Sequence, residues 1–294
     1  MADAKDTKGA KEAPKVVSKG PATRPDLVSI GGLLVALGGI LTGLIMDGGS
    51  FKDVRQVSAG LIVIGGTLGA VMITTPMSVL LGAAKRASSI FLERTYTPAA
   101  VIDEIVAYAT QARKQGIVSL EQQADAIKDP FLKKALNLAI DGVEMNQLRS
   151  IMELEITLME HEGEAEAKVF EAAGGYSPTI GIIGAVLGLM QVMKNLANIE
   201  EVGRGIATAF VATVYGVALA NIFLLPAGNK LKARVKEEVK IRELALEGIL
   251  SVVEGLNPKL IRTKLEAYAP HSPAAEKKAK AKMEAAGKPA PAEG

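Results

Sequence analysis

The stretch Ala172–Met193, AAGGYSPTIGIIGAVLGLMQVM, holds no charged residue. As a helix rising 1.5 Å per residue it is long enough to cross a hydrocarbon core of roughly 30 Å. Working outward, three more uncharged stretches appear: Leu27–Met46, Gln56–Ala84 and Ile206–Asn229. The first pair is joined by the polar connection Asp47–Arg55, the second by a loop carrying Glu200, Glu201 and Arg204. The sequence therefore predicts an all-α, polytopic membrane protein with four transmembrane helices. Its divisions are an N-terminal tail 1–25, a first hairpin 26–84, a polar helical domain 85–171, a second hairpin 172–229, a C-terminal helix 230–268 and a tail 269–294. The tails have few large apolar groups and read as disordered. The polar start does not read as a cleavable signal, because the apolar run after it is too long for an h-region.

Composition agrees. Hydrophobic residues make up 49% of the chain, glycine reaches 30 and aromatics stay at 4%, a mix suited to glycine-rich membrane helices. With no cysteine there is no disulfide and no thiolate zinc site, and His161 and His271 are too far apart for a shared ligand set. No cofactor or metal is expected. The 34 basic and 32 acidic residues nearly cancel, which gives no electrostatic footprint for nucleic acid.

Orientation follows from the cations near the span ends: Lys15, Lys19 and Arg24, then Lys85, Arg86 and Arg94, then Lys230, Lys232, Arg234 and Lys236. The hairpin loops carry far fewer, so the termini and the central domain are expected in the cytoplasm, with the short loops outside. In the central domain Thr97-Pro98 reads as a cap and first-turn proline, Gly116 as a stop, Ser119 with Gln122 as a capping box, and Asp129-Pro130 as another start. No strand pattern is evident.

Small residues recur four apart at Gly39/Gly43, Gly65/Gly69 and Gly184/Gly188, and Ala209, Thr213, Gly216 and Ala220 form a stripe on the fourth span. Such spacing lets helix backbones approach closely, either within one bundle or, with stripes on spans three and four, against another helix. The spans contain threonines, Gln191 and Asn221 but no Asp, Glu, Lys or Arg well inside. A machine driven by an ion gradient needs a titratable group at that depth, so this chain would have to borrow a carboxylate from a partner helix. Two prolines stand out: Pro178, expected to open span three near the outer side, and Pro226 near the far end of span four. Each removes a backbone donor and frees a carbonyl, unless it merely starts or kinks a helix end.

The run Val169–Leu189, VFEAAGGYSPTIGIIGAVLGL, resembles the third-helix signature of the MotA/PomA flagellar stator family. The run Ala207–Gly216 with Asn221 and Pro226 resembles its fourth helix, and the likeness covers roughly residues 27–268. The resemblance implies that Pro178 and Pro226 couple ion passage to helix movement and that Thr213 lies on the ion path. It also places Arg113, Lys114 and Glu121 against the rotor, whereas on physics alone these are solvated helix-end charges. Sodium-driven members tend to have Thr where this chain has Ala185, so protons are favoured. Also implied are a peptidoglycan-anchored MotB-type partner that supplies an aspartate, a FliG-type rotor protein, self-association into a pentamer in the lipid of the bacterial inner membrane, and no enzymatic activity. The related ExbB/TolQ energisers generally have one helix before the cytoplasmic domain, which the second span argues against. A self-contained transporter would be expected to carry an intramembrane charge or broken helices in both halves.

Overall fold

The computed structural model describes residues 22–95 and 97–268. Residues 1–21 and 269–294, with Lys15, Lys19 and the bulk of both expected tails, lie outside them. Among the described residues four helices are long and apolar enough to cross a membrane, as the sequence predicts. The described chain forms two compact units, 22–95 with 155–239, and 97–154 with 240–268.

In the first unit, α1 (Leu27–Met46) starts at Asp26, whose carboxylate accepts from the Ser29 N–H at 3.0 Å. A single turn, α2 (Phe51–Val54), leads into α3 (Val57–Thr74). The second span forms as α3, but the stretch Gln56–Ala84 is not one continuous helix. Pro76 pushes Thr75 into an extended conformation (φ −127°, ψ 130°), and a separate helix α4 (Met77–Ala87) follows. A ladder that periodicity did not reveal precedes and follows this hairpin: β1 (Ala22–Pro25) pairs antiparallel with β2 (Leu92–Thr95), Ala22 opposite Thr95 and Pro25 opposite Leu92. Four residues each are too few for alternation to be read.

Asp26 closes this ladder onto the rest of the unit. Its N–H donates to the Phe91 carbonyl at 2.8 Å, and its carboxylate holds Lys230 and Arg234, the latter at 3.0 Å. Arg234 also donates to the carbonyls of Ser89 and Leu92. The Lys230 ammonium, then the Ser29 N–H, hold the Asp26 carboxyl at about 2 against an ordinary 3.8.

In the second unit, α5 (Pro98–Gln115) begins with the first-turn proline and ends at Gly116, whose φ of 83° only glycine adopts freely. The capping box expected at Ser119 is absent: its hydroxyl donates back to the Gly116 carbonyl at 2.6 Å inside a 3₁₀ turn, Ile117–Leu120, and α6 (Glu121–Ala124) starts later. The start at Asp129 forms as expected, its carboxylate accepting from Leu132 N–H at 2.9 Å to open α7 (Pro130–Ile140). The later part of α8 (Met145–Lys194), α9 (Ile199–Ala218), a π-helical turn Leu219–Leu224 and the start of α10 (Leu225–Val253) belong to the first unit, while the start of α8, the later part of α10 and α11 (Pro258–Glu266) complete the second. Leu136, Leu148, Leu244, Ile249 and Leu250 are fully buried here, worth roughly 1.5–3 kcal/mol each in water. Beside them Tyr108 donates to Glu104, and burial followed by that carboxylate pushes its phenol far above the ordinary range. Glu247 is raised by burial but pulled lower overall by Lys264 and Arg149.

A carboxyl held below its unfolded value stabilises the fold above that value and loses its contribution as pH falls through the folded one. Asp26→Asn is therefore expected to lower the thermal unfolding midpoint at pH 7 in detergent. The gap to the native chain should close between pH 3.8 and about 2. An unchanged midpoint at pH 7 would show that Lys230 and Arg234 do not fasten the ladder.

Candidate functional site

The third and fourth spans meet backbone to backbone. A methyl group added at Gly181 would stand 2.9 Å from the Ala212 carbonyl oxygen and 3.2 Å from the Gly216 Cα. One added at Gly216 would lie 2.6 Å from the Ser177 carbonyl oxygen and 3.2 Å from the Pro178 Cα. Gly188 and Gly205 oppose each other in the same way towards the hairpin turn. Ala209, Ala212 and Ala220 are buried along this seam. The small-residue stripes of the two spans thus serve packing within one chain. In contrast, nothing lies within 4 Å of a methyl built on Gly39, Gly43, Gly65 or Gly69.

Pro178 is not at a helix start: it lies inside α8, which runs from Met145 to Lys194 without a break. From Pro178 to the turn after Lys194 is about 24 Å of helix at 1.5 Å per residue, so Pro178 sits at the end of span three away from the hairpin loop, not near it. Its missing N–H leaves the turn short of a donor. One residue on, Thr179 Oγ1 donates to the Tyr176 carbonyl at 2.7 Å.

Thr213 lies across the seam opposite Gly181, its Cα 3.5 Å from the position of a Gly181 methyl, whereas Pro178 lies opposite Gly216, so the two are about one helical turn apart along the seam. The Thr213 hydroxyl donates to its own Ala209 carbonyl at 3.1 Å, as an ordinary helical threonine does, and keeps its acceptor lone pairs free. Ala185, half-buried, shares the Pro178 face two turns further along α8. Pro226 is not at this level. It is the second residue of α10, directly after the π turn, and about 19 Å of helix separates it from Thr213.

Other residues at this bundle carry no periodic signal. The Tyr215 hydroxyl donates to the Val54 carbonyl and accepts from Gln56 N–H, while the Gln56 amide donates to Thr208. These bonds pin the start of α3 to span four. A tyrosine inside an apolar run could have been read as needing such a partner. Ser177, fully buried, donates to the Gly216 carbonyl at 3.0 Å. Its neighbour Pro178 drew the attention in the sequence, because a hydroxyl one residue away looks like any small polar residue of a membrane helix.

The expected rotor-facing residues lie in the other unit. Arg113 and Lys114 occupy the last turn of α5, and Glu121 opens α6 beyond the 3₁₀ turn. All three are exposed. Arg113 also lines a cleft of about 490 Å³ whose other walls include Ile117, Val143, Glu144 and Leu256.

Known proteins show the same plan. Residues 30–116 match the model for the Motility protein A N-terminal region, and residues 123–244 the model for the MotA/TolQ/ExbB proton channel family. Motility protein A of Bacillus subtilis is 37% identical over 83% of this chain and 91% of its own length. In the MotAB structure from C. jejuni one chain superposes with a TM-score of 0.80 at 31% identity, covering 84% of this chain and 98% of that one. A chain of the flagellar MotAB stator complex from Bacillus subtilis gives 0.77 at 36% identity, covering 83% and 96%.

The seam predicts its own mutational pattern. Gly216→Ala should destabilise the detergent-solubilised chain by about 1–3 kcal/mol, because the methyl meets backbone that cannot step aside. Gly38→Ala, where no atom lies within 4 Å, should be neutral in the isolated chain. Equal effects in thermal unfolding would mean that the seam does not hold the spans together.

Two family models across the chain, a relative at 37% identity over 83% of it and two solved stator chains of the same fold all agree with the paired small-residue spans: the chain belongs to the MotA family of flagellar stator proteins, within the MotA/TolQ/ExbB proton channel family.

Proposed function

We propose that this chain is the ring-forming subunit of a proton-driven stator in the bacterial inner membrane, with both termini cytoplasmic. It assembles as a pentamer around a MotB-type partner and turns a FliG-type rotor protein. As a member of its family the chain is a channel-forming motor component and not an enzyme. The observation that carries the reading is that the four spans hold no Asp, Glu, Lys or Arg well inside. Such a channel must receive its titratable carboxylate from another chain, and the related solved structures are MotAB complexes.

Thr213 and Pro178, about one turn apart along the seam, are where that carboxylate is met. Thr213 accepts a proton-bearing group while its own hydrogen stays on Ala209. Ala185 offers no hydroxyl, so the face suits a proton rather than a desolvated sodium ion. Each proton brings about 2.3 kcal/mol per 100 mV of membrane potential. Arg113, Lys114 and Glu121 face the rotor as an exposed charged edge. Single exposed pairs contribute about 0–1 kcal/mol, so the contact depends on the whole pattern of charge.

Proteoliposomes separate the borrowed carboxylate from an internal one. Vesicles holding this chain alone should show no proton flux under an imposed pH gradient, and co-reconstitution with the partner should start it. Strong flux without the partner would refute the reading.

The rotor edge is tested by Arg113→Glu combined with Glu121→Lys. The double reversal should weaken swimming far more than either neutralisation while leaving stator complexes intact on purification. Loss of assembly instead would make these charges structural.

A further inference from the structure

Span four is not one uniform helix. At its centre the Leu219 N–H bonds the carbonyls of both Gly216 and Tyr215, and the Ser177 hydroxyl donates to Gly216 from span three. A carbonyl oxygen has two lone pairs, so the donor that regular α geometry sends to Gly216, the Ala220 N–H, competes for an occupied acceptor. The chain then widens into the π turn Leu219–Leu224, where the Leu225 N–H reaches back five residues to the Ala220 carbonyl. Pro226 follows and has no N–H to continue either ladder. Asn221 donates its side-chain amide to the Val217 carbonyl at 2.9 Å, supplementing the turn from its exposed side.

Both flanks of this turn are clamped on α8. On one side the Gly216 Cα sits against the Ser177 carbonyl and the backbone of Gly181 and Pro178. On the other, methyls at Gly174 and Gly228 would meet Leu225 Cδ2 at 2.6 Å and the Ala167 carbonyl oxygen at 3.2 Å. A wide turn between two fixed contacts is where a helix can exchange α for π hydrogen bonds without breaking either contact. Ser177 is the one side chain from span three that bonds a backbone group at its start among the described residues.

We propose that Ser177 is a positioning residue for torque generation: its bond to the Gly216 carbonyl sets where span four changes from α to π, and the Leu219–Leu224 turn is the hinge between the ion site at Thr213 and the helix that begins at Pro226. The inference rests on the reading of Thr213, Pro178 and Pro226 as ion-path and coupling residues. It adds that ion passage and helix movement are separable at Ser177. A hinge residue alters how much rotation each proton yields, whereas an ion-path residue alters conductance itself.

The test measures rotation and proton conductance together in complexes of the full chain with its partner. Ser177→Ala should assemble and conduct normally but give about two- to thirty-fold less rotation per proton, the range for residues that carry coupling between sites. Ser177→Cys, which keeps a weak donor, should recover part of the loss. Deleting Asn221 takes one residue out of the wide turn and returns it to α hydrogen bonding with both flanks in phase, so it should uncouple in the same way. Normal rotation per proton in Ser177→Ala overturns the inference, and so does a loss of conductance equal to the loss of rotation. If the Asn221 deletion fails to assemble, the Ser177→Ala and Ser177→Cys pair decides. Thr213→Val, run alongside, reports on the underlying reading. Impaired conductance there with normal Ser177→Ala coupling leaves the ion site standing and removes the hinge. Normal conductance in Thr213→Val with uncoupled Ser177→Ala keeps the hinge and removes Thr213 from the path.

Discussion

The rest of the membrane unit depends on one contact, the backbone-to-backbone approach of the third and fourth spans at Gly181, Gly188, Gly205 and Gly216. Lipid tails are as apolar as leucine, so no hydrophobic force drives one span onto another. What remains is dispersion between close surfaces and the few hydrogen bonds that reach across, and both fall away steeply if a side chain intervenes. Ser177 reaches the Gly216 carbonyl because no Cβ stands between the helices. Pro178 meets Gly216, and Thr213 meets Gly181, for the same reason.

Outside the apolar spans different physics takes over. Arg86 pairs with Glu166 and reaches Glu238 at 4.0 Å, Lys232 pairs with Glu171 at 2.7 Å, and Asp26 gathers Lys230 and Arg234. Each pair joins segments far apart in sequence at a place where apolar packing alone would leave their angle free. Gly82 and Gly163 give these charges room: a methyl at either would press on the Glu166 carboxylate or on Val235 and the Arg86 guanidinium. The cations that the sequence offers as a sign of orientation are therefore also structural partners.

The four spans were legible because a span is a property of a single segment, and length with apolarity decides it. Gly116 as a stop and Asp129 as a start were legible because capping is equally local. The break at Thr75 could have been read from Pro76, yet the unbroken apolarity of 56–84 outweighed it. The β1–β2 ladder was hidden, since it joins two four-residue segments separated by a whole hairpin. Among the candidate site residues, Pro178 and Pro226 came forward as exceptions to their surroundings, while Thr213 was marked out by the family resemblance alone. The roles of Ser177 and Tyr215 depend on which carbonyl lies opposite, and that is fixed by the pairing of helices rather than by their composition.

The bonds of Asp26 have a bearing on how the chain is built. Their partners lie at Phe91, Lys230 and Arg234, so the last of them leaves the ribosome about two hundred residues after Asp26 itself. Until then α1 is anchored through the Phe91 bond and the β1–β2 ladder but must wait in the bilayer without its ion pairs. It is equipped to wait, for it contains no charged residue and none of its side chains is buried even in the finished chain. The first helix made is thus the one that asks least of its neighbours, and it is fastened last, by a carboxylate that stands ready at its end while the other three spans are inserted.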